Sequence, residues 1–339
     1  MLASFSNKLI DWYNQNKRDL PWRKTKNPYR IWVSEIILQQ TRIEFGTKYY
    51  NRFINKYPNV KKLANSSDTD LMKIWEGLGY YSRAINMLKT AKIILNSYNG
   101  VFPTKYDQLI KLPGIGDYTA SAISSICNNE LQPVVDGNVL RFLSRMHKIE
   151  LPIESITTKK YFKKLGFTLI QNANPGDFNQ ALMDYGSMVC KPKKSDCKSC
   201  IFSIDCKAYN SNSVENYPIK KKKIKVKERF LNYVVVVTDD NKTQIKKRDE
   251  SGIWKNLYEF PLIETEIETS AKHISKELEL DFRDLLSVKR INHKLSHQLL
   301  HITFFVFKTN NKIDDLIDIN SLINYPFPRP LNKFISELV

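Results

Sequence analysis

The chain has 339 residues, which is enough for two domains, and 42% of them are hydrophobic, as in an ordinary globular protein. No apolar run is long enough to span a bilayer and the first residues lack a signal-peptide pattern, so we expect a cytoplasmic protein and neither a membrane-spanning nor an exported one. Fifty-three Lys and Arg residues against 35 Asp and Glu residues give a net charge of +18, which attracts polyanions, most simply nucleic acid, and leaves acidic membranes and acidic proteins open as alternatives.

Residues 1 to about 209 are predicted to form an all-α region. Apolar residues recur three and four positions apart, which is the period of an amphipathic helix, in the stretches 69–80, 83–96 and 119–127. Short turns separate these stretches.

A carboxyl group among apolar neighbours stands out in the segment NPYRIWVSEIILQQT, residues 27–41. Asn27 is suited to be the N-cap of a helix, and Pro28 suits its first position. Glu35 follows two turns later, and most of the residues three and four positions away from it are apolar. Burial there would raise the pKa of Glu35, so that the carboxyl group could act as an acid near neutral pH. The alternative is a surface carboxylate on an amphipathic helix.

The segment 104–126, TKYDQLIKLPGIGDYTASAISSI, predicts two helices joined by a tight turn. Thr104 is the expected N-cap of the first helix, and the second is expected to begin near Asp117. Gly114 and Gly116 would leave bare backbone N–H groups at a helix N-terminus, an arrangement suited to a phosphate of a nucleic-acid backbone. The alternative is a plain helical hairpin that needs glycine only for its turn.

A second carboxylate, Asp136, lies in PVVDGNVLRFLSR between an apolar run and a helical pattern. We expect it to cap that helix, where N–H groups and the helix dipole favour the ionised form. Glu35 is thus expected to favour its protonated form and Asp136 its ionised form. Hydrolysis of a glycosidic bond needs such a pair of a proton donor and an anion. The alternative is a purely structural cap, and the sequence does not show that Glu35 and Asp136 face each other.

Four cysteines, Cys190, Cys197, Cys200 and Cys206, are spaced C-x6-C-x2-C-x5-C in a segment too poor in apolar residues to form its own core. Thiolates this close select zinc or an iron–sulfur cluster, and the uneven spacing favours a [4Fe–4S] cluster over the paired knuckles typical of zinc. Disulfides would require an oxidising compartment. The fifth cysteine, Cys127, lies in an apolar stretch and is a predicted core residue.

The composition changes near residue 210. Residues 210–229 are polar and then strongly basic, which predicts a linker that either contacts phosphates or is merely solvated. Residues 230–339 predict an α+β domain. Its expected elements are two strands in 231–248 joined by a turn at Asp239–Lys242, a helix at 273–280 and a further strand at 301–308.

Taken together, these motifs resemble a known family. The hairpin LPGIGDYTA, the following VDGNVLR and the four-cysteine pattern resemble the endonuclease III superfamily of helix–hairpin–helix DNA glycosylases. RDLPWR, VSEIILQQT, GLGYYSR and FNQALMDYG resemble its MutY-type A/G-specific adenine DNA glycosylases. The resemblance implies a multidomain fold, with an all-α helix–hairpin–helix glycosylase domain that carries a [4Fe–4S] cluster loop at 190–206, and a C-terminal α+β Nudix-like domain.

The resemblance implies excision of adenine mispaired with 8-oxoguanine or guanine in double-stranded DNA, by a monomeric, nucleoid-associated enzyme of base excision repair. It makes Glu35 the acid that protonates adenine and Asp136 the group that stabilises the oxocarbenium-like sugar or its adduct, assisted by Tyr118 and Asn138. Endonuclease III carries a lysine where Tyr118 stands. A phenol forms no imine, so we expect little or no strand cleavage.

The resemblance also assigns the substrate-binding residues. Those of the catalytic region are Arg18, Trp22, Arg23 and Gln180 around the adenine, Thr41 beside them, and Gln40 and Tyr80 as wedges in the duplex. Leu295, Ser296 and His297 match the triplet that reads 8-oxoguanine, with leucine in place of the usual phenylalanine, and Asn256 stands where glycine is usual.

No acidic cluster of a Nudix box follows Glu259, so nucleotide hydrolysis by the C-terminal domain is not expected. Two alternatives to adenine excision stay open on the sequence. One is a glycosylase of the same superfamily for another mismatch or an oxidised base, and the other is a non-catalytic Fe–S protein that binds DNA.

Overall fold

The structure is a computed structural model that describes residues 2–221, 226–248, 252–309 and 313–338. Its α-helices are α1 (Leu2–Asn16), α2 (Pro28–Ile37), α3 (Ile43–Lys56), α4 (Val60–Ala64), α5 (Asp68–Trp75), α6 (Ser82–Ser97), α7 (Tyr106–Leu109), α8 (Asp117–Asn128), α9 (Gly137–His147), α10 (Ile156–Leu169), α11 (Pro175–Met188), α12 (Lys207–Asn210), α13 (Ala271–Glu277) and α14 (Arg329–Leu338). Short 3₁₀ helices cover Pro21–Arg23, Val214–Asn216, Phe282–Asp284 and Ile319–Asn324.

The strands are β1 (Lys227–Val237), β2 (Lys242–Gln244), β3 (Lys246–Lys247), β4 (Tyr258–Glu259), β5 (Leu262–Thr265), β6 (Leu285–Lys294), β7 (Gln298–Lys308) and β8 (Leu316–Asp318). A helical part followed by an α+β part is therefore confirmed. Within the predicted basic linker, residues 222–225 lie outside the described residues. Among the described helices, none is both long and apolar enough to cross a membrane.

Contacts group the chain into two units, Met1–Asn65 with Asn86–Lys222, and Ser66–Ile85 with Lys223–Val339. The core of the first unit is aromatic. Phe5 of α1, Phe142 of α9 and Phe178 and Tyr185 of α11 are buried in one cluster. The rings of Phe5 and Phe202 stack with their centres 4.8 Å apart, so the helices and the cysteine segment that carries Phe202 share this core.

Local capping explains where helices of the first unit begin. The side chain of Asn27 accepts a hydrogen bond from Arg30 N, so α2 begins at Pro28 as expected. The expected cap at Thr104 is wrong. Helix α7 begins after Lys105, and its first N–H group, that of Tyr106, donates instead to the carboxylate of Glu130, 24 positions away along the chain.

The second unit is built on a four-stranded sheet of order β5-β1-β7-β6. Strands β1 and β7 run parallel, from Lys227 opposite Gln298 to Val237 opposite Lys308, and the other pairs are antiparallel. Alternation of side chains gives the sheet two buried faces. Tyr233 and its face pack with α14, whereas Val234 and its face pack with α13.

Two predicted elements of this unit differ from expectation, one in where it ends and one in which strand it pairs with. The helix expected over 69–80 ends at Trp75, because Gly77 and Gly79 adopt positive φ angles of 88° and 71°. Strand β2 follows β1 after a turn, as expected, but its ladder partner is β8.

Candidate active site

One open cleft of the first unit, about 860 Å³ in volume, is lined by every catalytic and substrate-binding residue that the sequence predicted for that unit. These residues come from five places along the chain. They are Arg18, Trp22, Arg23, Glu35, Gln40, Thr41, Tyr118, Asp136, Asn138 and Gln180. Glu35 and Asp136 therefore border the same cavity, which the sequence alone did not show.

Glu35 is buried in the wall of the cleft, with 8% of its surface exposed. Its helix neighbours Ile31 and Trp32 are also buried, as predicted. Burial and, to a lesser extent, the nearby carboxylate of Asp136 raise the pKa of Glu35, which is about 7. A hydrogen bond from Tyr118 and the charge of Arg23 oppose this change. A substantial fraction of Glu35 is thus protonated at neutral pH.

Tyr118 lies between Glu35 and helix α11. Burial, together with the carboxylates of Glu35 and Asp136, raises the pKa of Tyr118 well above its usual value. The phenol therefore keeps its proton. Its hydroxyl also lies 3.2 Å from the sulfur of Met183, which fixes the ring against α11.

Asp136 is the N-cap of α9, as predicted, and its Oδ1 accepts a hydrogen bond of 2.7 Å from Val139 N. Its Oδ2 accepts one of 2.8 Å from the side chain of Asn138. The hydrogen bonds of the cap lower the pKa of Asp136, as expected. Burial raises it, and this outweighs the hydrogen bonds and the charge of Arg141, which act in the opposite direction.

Asn138 is itself held by the helix beside it. Its side-chain oxygen accepts a 2.9 Å hydrogen bond from Arg141, whose guanidinium also donates to the carbonyls of Gly186 and Cys190. Gly186 of α11 lies directly against the backbone of Asn138, since a Cβ added there would be 2.7 Å from Asn138 O. The orientation of Asp136 thus depends on main-chain contact between α9 and α11.

A buried carboxylate, that of Asp184, anchors two arginines that line the cleft. Its side chain is fully buried and pairs with Arg23 at 2.6 Å and with Arg18. Gln180, which lies one turn earlier on α11, also lines the cleft. The two arginines are therefore fixed by Asp184 at the rim of the cavity that holds Glu35.

The turn between α7 and α8 has the geometry of the predicted hairpin. Gly114 adopts a φ of 76°, and a Cβ there would be 2.7 Å from the side chain of Asn86, so glycine is required. Gly116 is the N-cap of α8 and offers no side-chain cap to the first N–H groups. Both glycines are exposed, whereas Ile115 between them is buried.

The four clustered cysteines line one cavity, together with Phe142 and Phe202. All five cysteines of the chain are free. Tyr185 places its hydroxyl 3.0 Å from Cys200 Sγ, and Arg145 places a guanidinium nitrogen 3.4 Å from Cys190 Sγ. A shared cavity with polar groups directed at the sulfurs fits a multinuclear thiolate-bound group. Among the described residues, no three His, Cys, Asp or Glu side chains have the geometry of a single-ion site.

The remaining predicted binding residues belong to the second unit. Leu295, Ser296 and His297 form the turn of the β6–β7 hairpin, where Leu295 N donates to Gln298 O at 2.8 Å. Leu295 packs partly against the sheet core, whereas Ser296 and His297 are exposed. The leucine thus anchors the turn and the two polar residues project from it.

Tyr80 meets this hairpin, because its hydroxyl forms a 2.8 Å hydrogen bond with the hydroxyl of Ser296. Its backbone is left-handed, with a φ of 48°, and 49% of its surface is exposed. The guanidinium of Arg83 supports the loop from within, donating to Gly79 O at 3.0 Å and lying over the Tyr80 ring at 5.6 Å. An exposed aromatic ring in a rare backbone conformation makes Tyr80 a candidate functional residue.

Glu259, the remaining glutamate of a degenerate Nudix motif, is buried in a structural ion pair. Its carboxylate lies 2.8 Å from Arg248 and accepts a hydrogen bond from Tyr233. Asn256, where glycine is usual, adopts a positive φ of 67°, so the chain keeps the backbone conformation of glycine there.

Two residues of the first unit went unpredicted. Asp184 lies four positions after Gln180 on α11, a spacing that puts both on one helix face and could have identified it. Arg141 had no such signal, because two of its three partners are main-chain carbonyls, those of Gly186 and Cys190.

Residues 33–166 match the HhH-GPD superfamily of base excision DNA repair proteins, and residues 232–337 match the NUDIX domain. The thermostable thymine-DNA glycosylase structure is 28% identical, with a TM-score of 0.57, and the alignment covers 62% of this chain and 97% of that one. A non-covalent endonuclease III–DNA complex shares the fold at 20% identity, with a TM-score of 0.54, over 62% of this chain and 95% of that one.

The adenine DNA glycosylase of Buchnera aphidicola subsp. Schizaphis graminum is 37% identical over 344 residues. That alignment covers 98% of this chain and 97% of the relative. The likeness therefore extends through the helical unit, the cysteine segment and the Nudix-like part alike. Since so high an identity holds from end to end, the chain belongs to the family of adenine DNA glycosylases, as the motifs predicted.

Proposed function

We propose that the protein hydrolyses the N-glycosidic bond of adenine mispaired with 8-oxoguanine or guanine in double-stranded DNA. The observation that carries this proposal is the cleft in which Glu35, Tyr118 and Asp136 meet. A buried carboxyl group with a pKa near 7 beside a second, hydrogen-bonded carboxylate suits an acid and an anionic stabiliser.

In the proposed reaction, Glu35 donates its proton to a ring nitrogen of the extruded adenine. The bond between C1′ and the base then breaks, and its electron pair leaves with the adenine. Positive charge develops on the sugar, which the carboxylate of Asp136 stabilises while Asn138 and the α9 N–H groups hold that carboxylate in place. Water adds to C1′ and gives up a proton to the carboxylate that remains on Glu35.

Adenine reaches this cleft only if it leaves the base stack. Arg18, Trp22, Arg23, Gln180 and Thr41 line the space around the acid, and we assign them to the extruded nucleotide. Gln40 is exposed at the rim with a left-handed backbone, φ 57°, which suits a wedge in the duplex. The exposed N–H groups at Gly114 and Gly116 are proposed to bind a backbone phosphate.

Tyr118 occupies the place where strand-cleaving relatives would need an amine. Its phenol keeps its proton and forms no Schiff base, so base removal is proposed to leave the strand intact.

We assign catalysis to 1–209, a linker to 210–229 and lesion recognition to 230–339, with Tyr80 joining the recognition unit through Ser296. The exposed pair Ser296 and His297 suits contact with the base opposite adenine.

We further propose that Cys190, Cys197, Cys200 and Cys206 hold a [4Fe–4S] cluster. Zinc bonded at about 2.3 Å would draw four sulfurs into one tight tetrahedron. Four thiols that line one shared cavity, at the uneven spacing C-x6-C-x2-C-x5-C, favour a cluster instead. The cluster would hold the lysine-rich segment around it and leave the chemistry to the cleft. A monomer acting on nucleoid DNA in the cytoplasm completes the proposal.

A panel of four duplexes tests the proposed activity. Adenine opposite 8-oxoguanine, adenine opposite guanine, thymine opposite guanine and thymine glycol are incubated with the protein, with and without alkali. Strand breaks should arise only at adenine and only after alkali, because base removal leaves an abasic site intact. Excision of thymine or thymine glycol would support another specificity, and binding without excision would support a non-catalytic protein.

Metal analysis and absorption test the cofactor. The purified protein should be brown, with a broad absorption near roughly 400 nm and about four irons per chain. Cys197→Ser should lose the colour and most of the iron, whereas the control Cys127→Ser should keep both, since Cys127 does not line the cysteine cavity. One zinc per colourless chain would contradict the cluster.

A further inference from the structure

Glu76 stands at the end of α5, immediately before the loop that presents Tyr80. Its carboxylate oxygen Oε1 accepts a 2.6 Å hydrogen bond from the side chain of Asn332 on α14 and a 3.3 Å hydrogen bond from Phe327 N. Its other oxygen lies 3.0 Å from Lys73 Nζ. The same lysine donates to Tyr325 O at 3.3 Å.

Apart from the Lys73–Glu76 ion pair, these contacts join the segment 66–85 to the segment 325–332 near the C-terminal end of the chain. Glu76 is only four residues from Tyr80, and the intervening loop is stiff. Trp75 donates its indole N–H to Gly79 O at 3.2 Å, and Arg83 donates to the same carbonyl. A displacement of Glu76 would therefore carry Tyr80 with it.

From this geometry we propose that Glu76 is a positioning residue for lesion specificity. Through Asn332 it fastens the Tyr80 loop to the recognition unit, so that the hydroxyls of Tyr80 and Ser296 form one hydrogen-bonding pair at the surface. This inference rests on the proposed function in one respect, namely that this pair contacts the base opposite adenine.

The chemistry of the pair explains why its spacing matters. Two hydroxyls 2.8 Å apart form a hydrogen bond in which either can be the donor. The hydroxyl that accepts this bond keeps its own proton and can donate it to the edge of a base. Guanine and 8-oxoguanine differ in the donors and acceptors of that edge. A pair held at fixed spacing discriminates between these bases better than two independent side chains. Mobile side chains must be ordered on binding, and this ordering costs part of the binding free energy.

The test measures affinity for duplexes that carry an uncleavable abasic analogue opposite 8-oxoguanine or opposite guanine, so it does not depend on excision. In Asn332→Ala the preference for 8-oxoguanine should fall roughly fivefold, the size expected for one displaced hydrogen bond. Glu76→Ala should behave alike, whereas Glu76→Gln, which retains an acceptor, should keep most of the preference. Asn324→Ala is the matched control, since Asn324 is exposed beyond this contact.

A double-mutant cycle separates positioning from a general loss of structure. In a Ser296→Ala background, Asn332→Ala should have little further effect on the preference, because the hydroxyl pair is already gone. An undiminished effect in that background, or an unchanged preference in Asn332→Ala itself, would overturn the inference. Failure of excision on every duplex would instead overturn the proposed function and leave this affinity measurement valid.

Discussion

Glu35→Gln should abolish adenine excision while the protein still folds and binds DNA. The amide fills the same buried space but has no acidic proton to donate. Loss of general acid catalysis costs about 10²- to 10⁴-fold in rate, and the single-turnover rate of base release should fall by at least that factor. Measurement on A opposite 8-oxoguanine under excess enzyme separates this step from product release.

The pH profile gives the same prediction a second readout. Because the pKa of Glu35 is raised to about 7, its proton is present below that pH and is lost as pH rises through it. The wild-type rate of base release should therefore fall above about pH 7. Glu215→Gln, at an exposed position on a 3₁₀ helix, is the control and should leave both rate and profile unchanged. Retained excision in Glu35→Gln would assign the acid to another residue.

Asp184→Asn should be the most destabilising single change in the cleft. It leaves Arg18 and Arg23 at the cavity without their shared anion, and breaking a buried pair in this way costs about 3–5 kcal/mol. The lower end applies here, because 28% of the Arg18 side chain is exposed to solvent. Urea unfolding followed by circular dichroism measures the loss.

Asp177→Asn is the matched control for this change, since Asp177 lies on the same helix but is exposed. Its free energy of unfolding should stay within about 0.5 kcal/mol of wild type. If the variants at 177 and 184 proved equally stable, the buried carboxylate would not hold the two arginines. Asp184→Glu should recover part of the stability because it keeps the charge.

The elements set by local chemistry could be predicted from the sequence. Asn27 and Asp136 cap their helices as expected, because a cap involves only the next three residues. The glycine turn of the hairpin was equally local. Thr104 failed as a cap because Glu130, distant in sequence, already satisfies the first N–H group of α7.

The other features of the candidate site depend on contacts between residues that are distant in sequence. The pKa direction of Glu35 was predictable from its apolar helix neighbours, whereas that of Asp136 was not. Its burial comes from elements packed around it, and this outweighs the hydrogen bonds of the cap. Likewise, no local pattern paired Asp184 with residues more than 160 positions earlier in the chain.

The hydrogen bond from Phe327 N to Glu76 joins residues 251 positions apart, and it has a consequence for biosynthesis. At about 5–20 residues per second, a ribosome needs roughly 12 to 50 seconds to make the chain between them. Throughout that interval the residues that bind Glu76 have not yet been made, so the loop that bears Tyr80 lacks this attachment. The nascent helical region can therefore fold well before the chain completes the surface to which we assign lesion recognition. The proposed discrimination between damaged and normal guanine would then be the last property that the newly made chain gains.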